Sequence, residues 1–455
     1  MKKIIAAIAA ISLFFILFFL ARHRGVSGDL TLEEYKEIES ALSQGDESKL
    51  PSCHGHSCSA DMRELTHASA LRIQWNLKDS LDEASRCEEQ SRNNHSLTNF
   101  TCARLASSDA INLYGFYGEW LTVNMVADAV KRGYAAHLWG VSGSWSSNPN
   151  IVEADRLKNL NLSKEDIENR PITSIPLLGD GGIKSYVVNK QQKLNITLTI
   201  SYPSARVRIN GKDLVMLIDT GAQTTTLYAS SAKKVGIQYL IGQKALSTVI
   251  TGAKRKNEIG IADTLEFANL RVNHKYIQIQ KDDFKMPDDG IIGFDLLDKM
   301  HSFMFTKDAL LIAPGVPQEC HGHFTISSDL YSGMHGLVAK GTKFNGAPVV
   351  AVLDTGNAGS DIAPTWQLVK RSNLSVSNRS RSYSGVGSAL LALDSGDVTG
   401  NLDYLGKKYS GTMVIGANYP HLAIDFNIGA PFIYGNDLYI NFDTKQICLL
   451  QKQAN

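Results

Sequence analysis

The 455-residue chain has no excess of either sign of charge: 46 Lys and Arg stand against 45 Asp and Glu, a formal net charge of +1. A nucleic-acid surface draws on a basic excess, so no nucleic-acid partner is expected. No Gly-rich phosphate loop and no Gly-x-Ser-x-Gly elbow appears, which sets aside P-loop and serine-hydrolase chemistry. Cysteines number only six, and their spacing relative to histidine matches no standard zinc site. No metal and no cofactor is therefore expected. Apolar residues, at 43%, are sufficient for two or three packed domains.

What the chain does contain is a tripeptide that occurs twice, each time at the end of an apolar run: Leu217-Ile218-Asp219-Thr220-Gly221 and Val352-Leu353-Asp354-Thr355-Gly356. An Asn-Gly pair precedes each, Asn210-Gly211 and Asn345-Gly346. Asn-Gly between apolar segments is a strong hairpin signal, because both residues tolerate positive φ. Each hairpin thus delivers its second strand into Asp-Thr-Gly. Two later landmarks repeat in the same order. Ile291-Ile292-Gly293-Phe294-Asp295-Leu296 matches Ile433-Tyr434-Gly435-Asn436-Asp437-Leu438, and Phe305-Thr306-Lys307 matches Phe442-Asp443-Thr444-Lys445. The pattern is an internal duplication.

On these motifs, residues 197–453 resemble the retropepsin-like aspartic proteases, with two fused lobes standing in for the usual homodimer. The resemblance implies a mainly β, bilobal acid-protease fold of two β-barrel lobes, active without obligate dimerisation. It makes Asp219 and Asp354 the catalytic pair and Thr220, Gly221, Thr355 and Gly356 their loop support. Thr220 and Thr355 would each cross-bond to the opposite loop. Lobe one, with Ala222 after its glycine, follows the retroviral pattern, whereas lobe two carries Asn357 there.

The residue types suit the chemistry. Two carboxylates a few ångströms apart cannot both ionise cheaply, so the pair shares one proton. The ionised member takes a proton from water while the protonated member polarises a scissile carbonyl. Flaps are expected around Ser247–Ala253, with its tip at Gly252, and Ser382–Ser388, with Tyr383 and Gly385. They would hold an extended peptide or protein substrate by strand addition. The basic run Lys254-Arg255-Lys256 reads first as a solvated turn. A non-catalytic module binding peptides or envelope proteins on the same fold is the alternative, but it would not need both carboxylates.

The N-terminus carries a second signal. Met1-Lys2-Lys3 precedes an uncharged stretch from Ile4 to Ala21, roughly the length of a bilayer-spanning helix. The alternatives are a single-pass anchor and a cleaved signal peptide. The absence of a small-x-small site after Phe18-Phe19-Leu20 favours the anchor. Beyond an export signal, six cysteines read as disulfides in an oxidising, extracytoplasmic compartment. Cys-His-Gly-His occurs twice, at 53–56 and 320–323, which keeps a metal alternative open. Six Asn-x-Ser/Thr sequons begin at Asn94, Asn99, Asn161, Asn195, Asn373 and Asn378.

The expected organisation is an anchor or signal at 1–24 and a mainly helical region at 25–150. A linker at 151–194, lobe one at 195–314, an inter-lobe linker at 315–323 and lobe two at 324–455 follow. Within the helical region, Thr31 is a candidate cap, and helices are expected over Asp29–Leu42, His67–Arg86 and Ser107–Arg132. It holds no catalytic constellation. Its candidate roles are an inhibitory pro-region, a partner-docking domain or a packing platform.

Overall fold

The computed structural model describes residues 28–53, 58–94, 96–134, 157, 160, 162–178, 183–188, 194–199, 202–248, 254–282, 288–330, 334–357, 360–384, 391–416, 418–419, 422–434 and 436–450. The apolar segment 4–21 lies outside them, as do Gly252, Gly385, His54 and His56. Among the described residues no helix is long and apolar enough to cross a membrane.

The chain is mainly β with an N-terminal helical region. Among the described residues five α-helices come first: α1 (Leu32–Gln44), α2 (Ala60–Ile73), α3 (Leu77–Ser91), α4 (Ser96–Tyr114) and α5 (Phe116–Tyr134). Thr31 caps α1 in a reciprocal box with Glu34, and Gly45 ends it in the left-handed region. Two expected helices are each broken in two. His67–Arg86 divides at Trp75, whose φ of 60° stops α2, and Ser107–Arg132 divides at Gly115, at φ 59°. Apolar periodicity runs through both breaks, so the sequence pattern conceals them. Asn99 is fully buried inside α4, which removes its sequon from the surface.

After the helices, sheets take over. In the first half Ser204–Ile209 and Lys212–Ile218 form the expected hairpin, with Asn210 and Gly211 both at positive φ. Lys212–Ile218 pairs in parallel with Gly290–Ile292, which pairs with Thr226–Tyr228, which pairs with Leu270–Gln280. Leu270–Gln280 joins Lys254–Phe267, and that strand returns to Ser204–Ile209, so the sheet closes into a barrel. Closure leaves its interior to Val207, Leu214, Met216, Ile218, Leu265 and Ile277, all buried. The stretch 151–194, expected as a linker, adds edge strands: Asp166–Asn169 pairs with 270–273, and Ser174–Pro176 with 309–311.

In the second half the Asp354 strand, Ala351–Asp354, lies between His335–Ala339 and Phe426–Gly429, again with a parallel neighbour. One landmark of the repeat is corrected here. Gly429, not Gly435, is the counterpart of Gly293. Gly429 sits opposite Asp354 in the parallel register, and the Asp219 amide donates to Ile292 O just before Gly293. Phe294 N donates to Ala222 O and Ala430 N to Asn357 O, which repeats the relation. Ile433-Tyr434 belongs to the short helix Ala430–Tyr434, and Asp437-Leu438 opens the next strand. The shared Gly-x-Asp-Leu string is coincidental; backbone pairing sets the equivalence.

Between the halves, Ser302–Phe305 pairs antiparallel with Asp437–Asn441 at the centre of a sheet that both closing hairpins extend. One apolar core runs through both halves and takes in Trp75 and Leu77 from the helical region. Bridges join Cys53 to Cys58, Cys87 to Cys102 and Cys320 to Cys448. They fit an oxidising, extracytoplasmic setting and occupy both Cys-His-Gly-His cysteines. Exposed His321 and His323 line an open cleft of about 360 Å³ with Lys340, Lys445 and Gln74. No group of three or more metal-ligating side chains occurs among the described residues.

Candidate active site

Each Asp-Thr-Gly follows from its strand without a gap. The apolar strand is held by a parallel neighbour, and beyond its last pair the chain must turn at once. The turn places both aspartates in the interior, at 5% and 9% exposure. Asp219 Oδ1 accepts from the amides of Gly221 (2.8 Å) and Ala222 (3.1 Å). Asp354 Oδ1 accepts from the Gly356 amide at 3.1 Å. These bonds aim the carboxylates inward.

The two loops meet through their threonines. Thr220 N donates to Thr355 Oγ1 (2.9 Å) and Thr355 N to Thr220 Oγ1 (3.1 Å). The hydroxyls pass the bonding on, Thr220 Oγ1 to Leu353 O (3.0 Å) and Thr355 Oγ1 to Ile218 O (2.6 Å). Every hydroxyl thus accepts once and donates once, so all four buried backbone groups are satisfied across the join.

Glycine is required by the opposing carboxylate. A Cβ on Gly221 would lie 2.5 Å from Asp354 Oδ1, and one on Gly356 would lie 2.2 Å from Asp219 Oδ2. The carboxyl groups are therefore packed face to face, each against the glycine of the opposite loop. Burial first, and then the Asp354 carboxyl, pushes Asp219 well above the usual carboxylate range. A buried pair of this kind holds one proton between two groups.

Two further side chains reach the pair that the sequence did not single out. Tyr419 Oη donates to Asp354 Oδ2 at 2.9 Å, and Asn427 Nδ2 donates to the same oxygen at 2.8 Å and also to the tyrosine hydroxyl. Burial, reinforced by the nearby Asp354, pushes the Tyr419 phenol well above its ordinary value, so it stays a donor. Asn357 Nδ2 donates to Asn427 Oδ1 (3.0 Å). The sequence signal was Asn357 itself, a polar residue where the first half has Ala222.

The flap expectations are met only as hairpins. Gln238–Thr248 pairs with Lys254–Phe267, and Ser377–Ser384, which contains Tyr383, pairs with Leu391–Tyr404. Their tips, including Gly252 and Gly385, lie outside the described residues. On the far side of the first loop, Thr225 donates twice to Asp295 Oδ1, while Lys275 Nζ reaches Asp295 (2.8 Å) and Glu165 (3.1 Å). Both ends of this cluster shift upward. Two carboxylates around one ammonium hold Lys275 charged in spite of its burial, and burial raises Glu165.

Residues 205–299 match the sequence family described as "gag-polyprotein putative aspartyl protease". That stretch holds the first Asp-Thr-Gly loop and its barrel, and the resemblance to retropepsin-like aspartic proteases is shown there. No curated protein sequence matches the chain. Among solved structures, basic 7S globulin from soybean aligns over 62% of this chain and 95% of its own at 10% identity, with a TM-score of 0.36.

Proposed function

We propose that the chain is a single-chain, bilobal aspartic endopeptidase in which Asp219 and Asp354 activate a water to cut extended peptide segments. The observation that carries this reading is the pair of opposed, buried carboxylates locked by reciprocal threonines. A module that only bound peptides would gain nothing from two like charges pressed together in its interior. Thr220, Gly221, Thr355 and Gly356 support the loops. The two long hairpins, with Gly252, Tyr383 and Gly385 at or near their tips, would hold the substrate as an added strand.

In the reaction, the ionised carboxylate takes a proton from water as the oxygen bonds to the scissile carbonyl carbon. The protonated carboxyl donates to the carbonyl oxygen, giving a neutral tetrahedral diol. Collapse returns a proton to the leaving nitrogen and breaks the C–N bond. No covalent enzyme intermediate forms. We place the catalytic part outside the cytoplasm, on the strength of three disulfides, and assign residues 1–24 as a single-pass anchor from their sequence.

The test is cleavage of a peptide library by the purified protein, with and without a statine-type inhibitor. Asp219→Asn and Asp354→Asn should each lower kcat by at least about 10³-fold, and the double variant should be scarcely worse, because the two groups act as a unit. Either single variant cleaving at near wild-type rate would sink the reading.

A further inference from the structure

The two halves repeat in backbone but not at the positions flanking their aspartates. Two residues before each Asp, the parallel neighbour strand presents Ile291 beside Leu217 in the first half and Asn427 beside Val352 in the second. The residue after each glycine is Ala222 in the first and Asn357 in the second. Both positions are apolar in one half and amide-bearing in the other, and the two amides bond to each other.

Because Asn357 occupies the Asn427 carbonyl oxygen, the Asn427 NH₂ must point at Asp354 Oδ2. Its other hydrogen goes to the Tyr419 oxygen, which turns the tyrosine O–H toward the same carboxylate oxygen. Tyr419 is held there by packing on Met334, Val352, Leu422 and Ile424. Among the described residues, Asp354 therefore accepts from Tyr419, Asn427 and the Gly356 amide, one donor more than the two amides on Asp219. The titratable groups facing Asp354 among the described residues are Asp219 and Tyr419, and Tyr419 keeps its proton.

We infer that Tyr419 and Asn427, oriented by Asn357, are positioning residues that fix the charge of the pair on Asp354 and its proton on Asp219. Asp354 is then the base that takes the proton of the attacking water, and Asp219 is the acid that donates to the carbonyl oxygen. This deepens the proposed protease reading and rests on it for the roles of base and acid. The placement of the proton rests on geometry alone. Donors to a carboxylate stabilise its ionised form, so the network lowers the pH at which the pair takes up its second proton.

Tyr419→Phe removes one donor with little change in shape. In the full chain in detergent, the acid limb of kcat/KM should move up by roughly one pH unit, with the alkaline limb moving less. The infrared carboxyl signal of the pair, taken as a difference against the Asp219→Asn/Asp354→Asn variant, should show its second protonation moving by the same amount. Asn357→Ala frees the Asn427 amide to turn and should shift both measurements in the same direction by less, which covers a Tyr419→Phe that fails to fold. An acid limb and infrared midpoint that stay within about 0.2 unit of wild type in whichever variant folds would overturn the inference while leaving a cleaving enzyme in place. If wild type cleaves nothing, the infrared titration still decides. A shifted midpoint then upholds the proton placement while the protease reading falls.

Discussion

At the scale of single residues, the join between the Asp-Thr-Gly loops rests on two hydroxyl groups. Each threonine oxygen accepts one amide and donates to one carbonyl of the other half. Removing one hydroxyl leaves a buried N–H and a buried C=O without partners, which costs about 2–5 kcal/mol in all. Thr220→Val should therefore lower thermal stability sharply and reduce kcat more than KM. Thr220→Ser keeps the oxygen and gives up only a methyl group, so it should recover most of both. Equal melting temperatures for the Val and Ser variants would show that the hydroxyl exchange contributes nothing. Glycine matters here for a different reason. No positive φ is involved at Gly221 or Gly356; the opposing carboxylate occupies the space a Cβ would need.

At the scale of elements, the sequence exposed whatever was written in local pattern. Asn210-Gly211 and Asn345-Gly346 announced hairpins because their positive φ is a property of the residues themselves. Thr31 with Glu34 announced a helix start for the same reason. What stayed hidden depends on distant partners. The counterpart of Gly293 could be found only from the parallel register beside Asp354, and Tyr419 reaches that carboxylate across 65 positions of chain.

Trp75 is the sharpest such case. A bulky residue at positive φ ends α2 through a bond from Asn76 N to Leu71 O, a geometry in which glycine is usual. Its ring explains the choice. It packs edge-on against Phe294 (5.3 Å between centroids) and beside His335, under the Arg72 guanidinium, and its Nε1 reaches Asp298 at 3.3 Å. Phe294 directly follows Gly293, so the helical region is seated next to the first loop. Among its candidate roles, this contact supports a packing platform. Trp75→Gly relieves the backbone but empties the pocket. It should destabilise by about 2–4 kcal/mol, the burial loss of a large aromatic less the relieved strain, in denaturant melts of the full chain. A neutral result would mean that the helices and sheets do not share one cooperative core.

At the scale of the whole molecule, pH dependence follows from three buried carboxyls that shift the same way. Asp109, enclosed with Arg72, Ser80 and Ser108, is pushed by burial to about 6. Burial also raises Glu165 and Asp219. A carboxyl whose folded value lies above its unfolded one binds its proton more readily in the folded chain. Stability then grows as pH falls from about 7 through 6 toward the ordinary value near 3.8. Asp213, lowered by Arg208, acts in the opposite sense, but below the usual carboxylate range and on the exposed surface. For Asp109 alone the swing between pH 7 and pH 5 is on the order of 1 kcal/mol. The melting temperature should therefore be higher at pH 5 than at pH 7, by roughly a degree or more. Asp109→Asn should lower it at both pH values, because Arg72 loses its partner, while flattening the difference between them. A chain more stable at pH 7 than at pH 5, or an unchanged slope in Asp109→Asn, would show that the buried Arg72–Asp109 pair stays fully ionised across the range. On the proposed protease reading, a shared-proton dyad works best where that proton is retained, so the same burial would suit both that chemistry and the fold to mildly acidic surroundings.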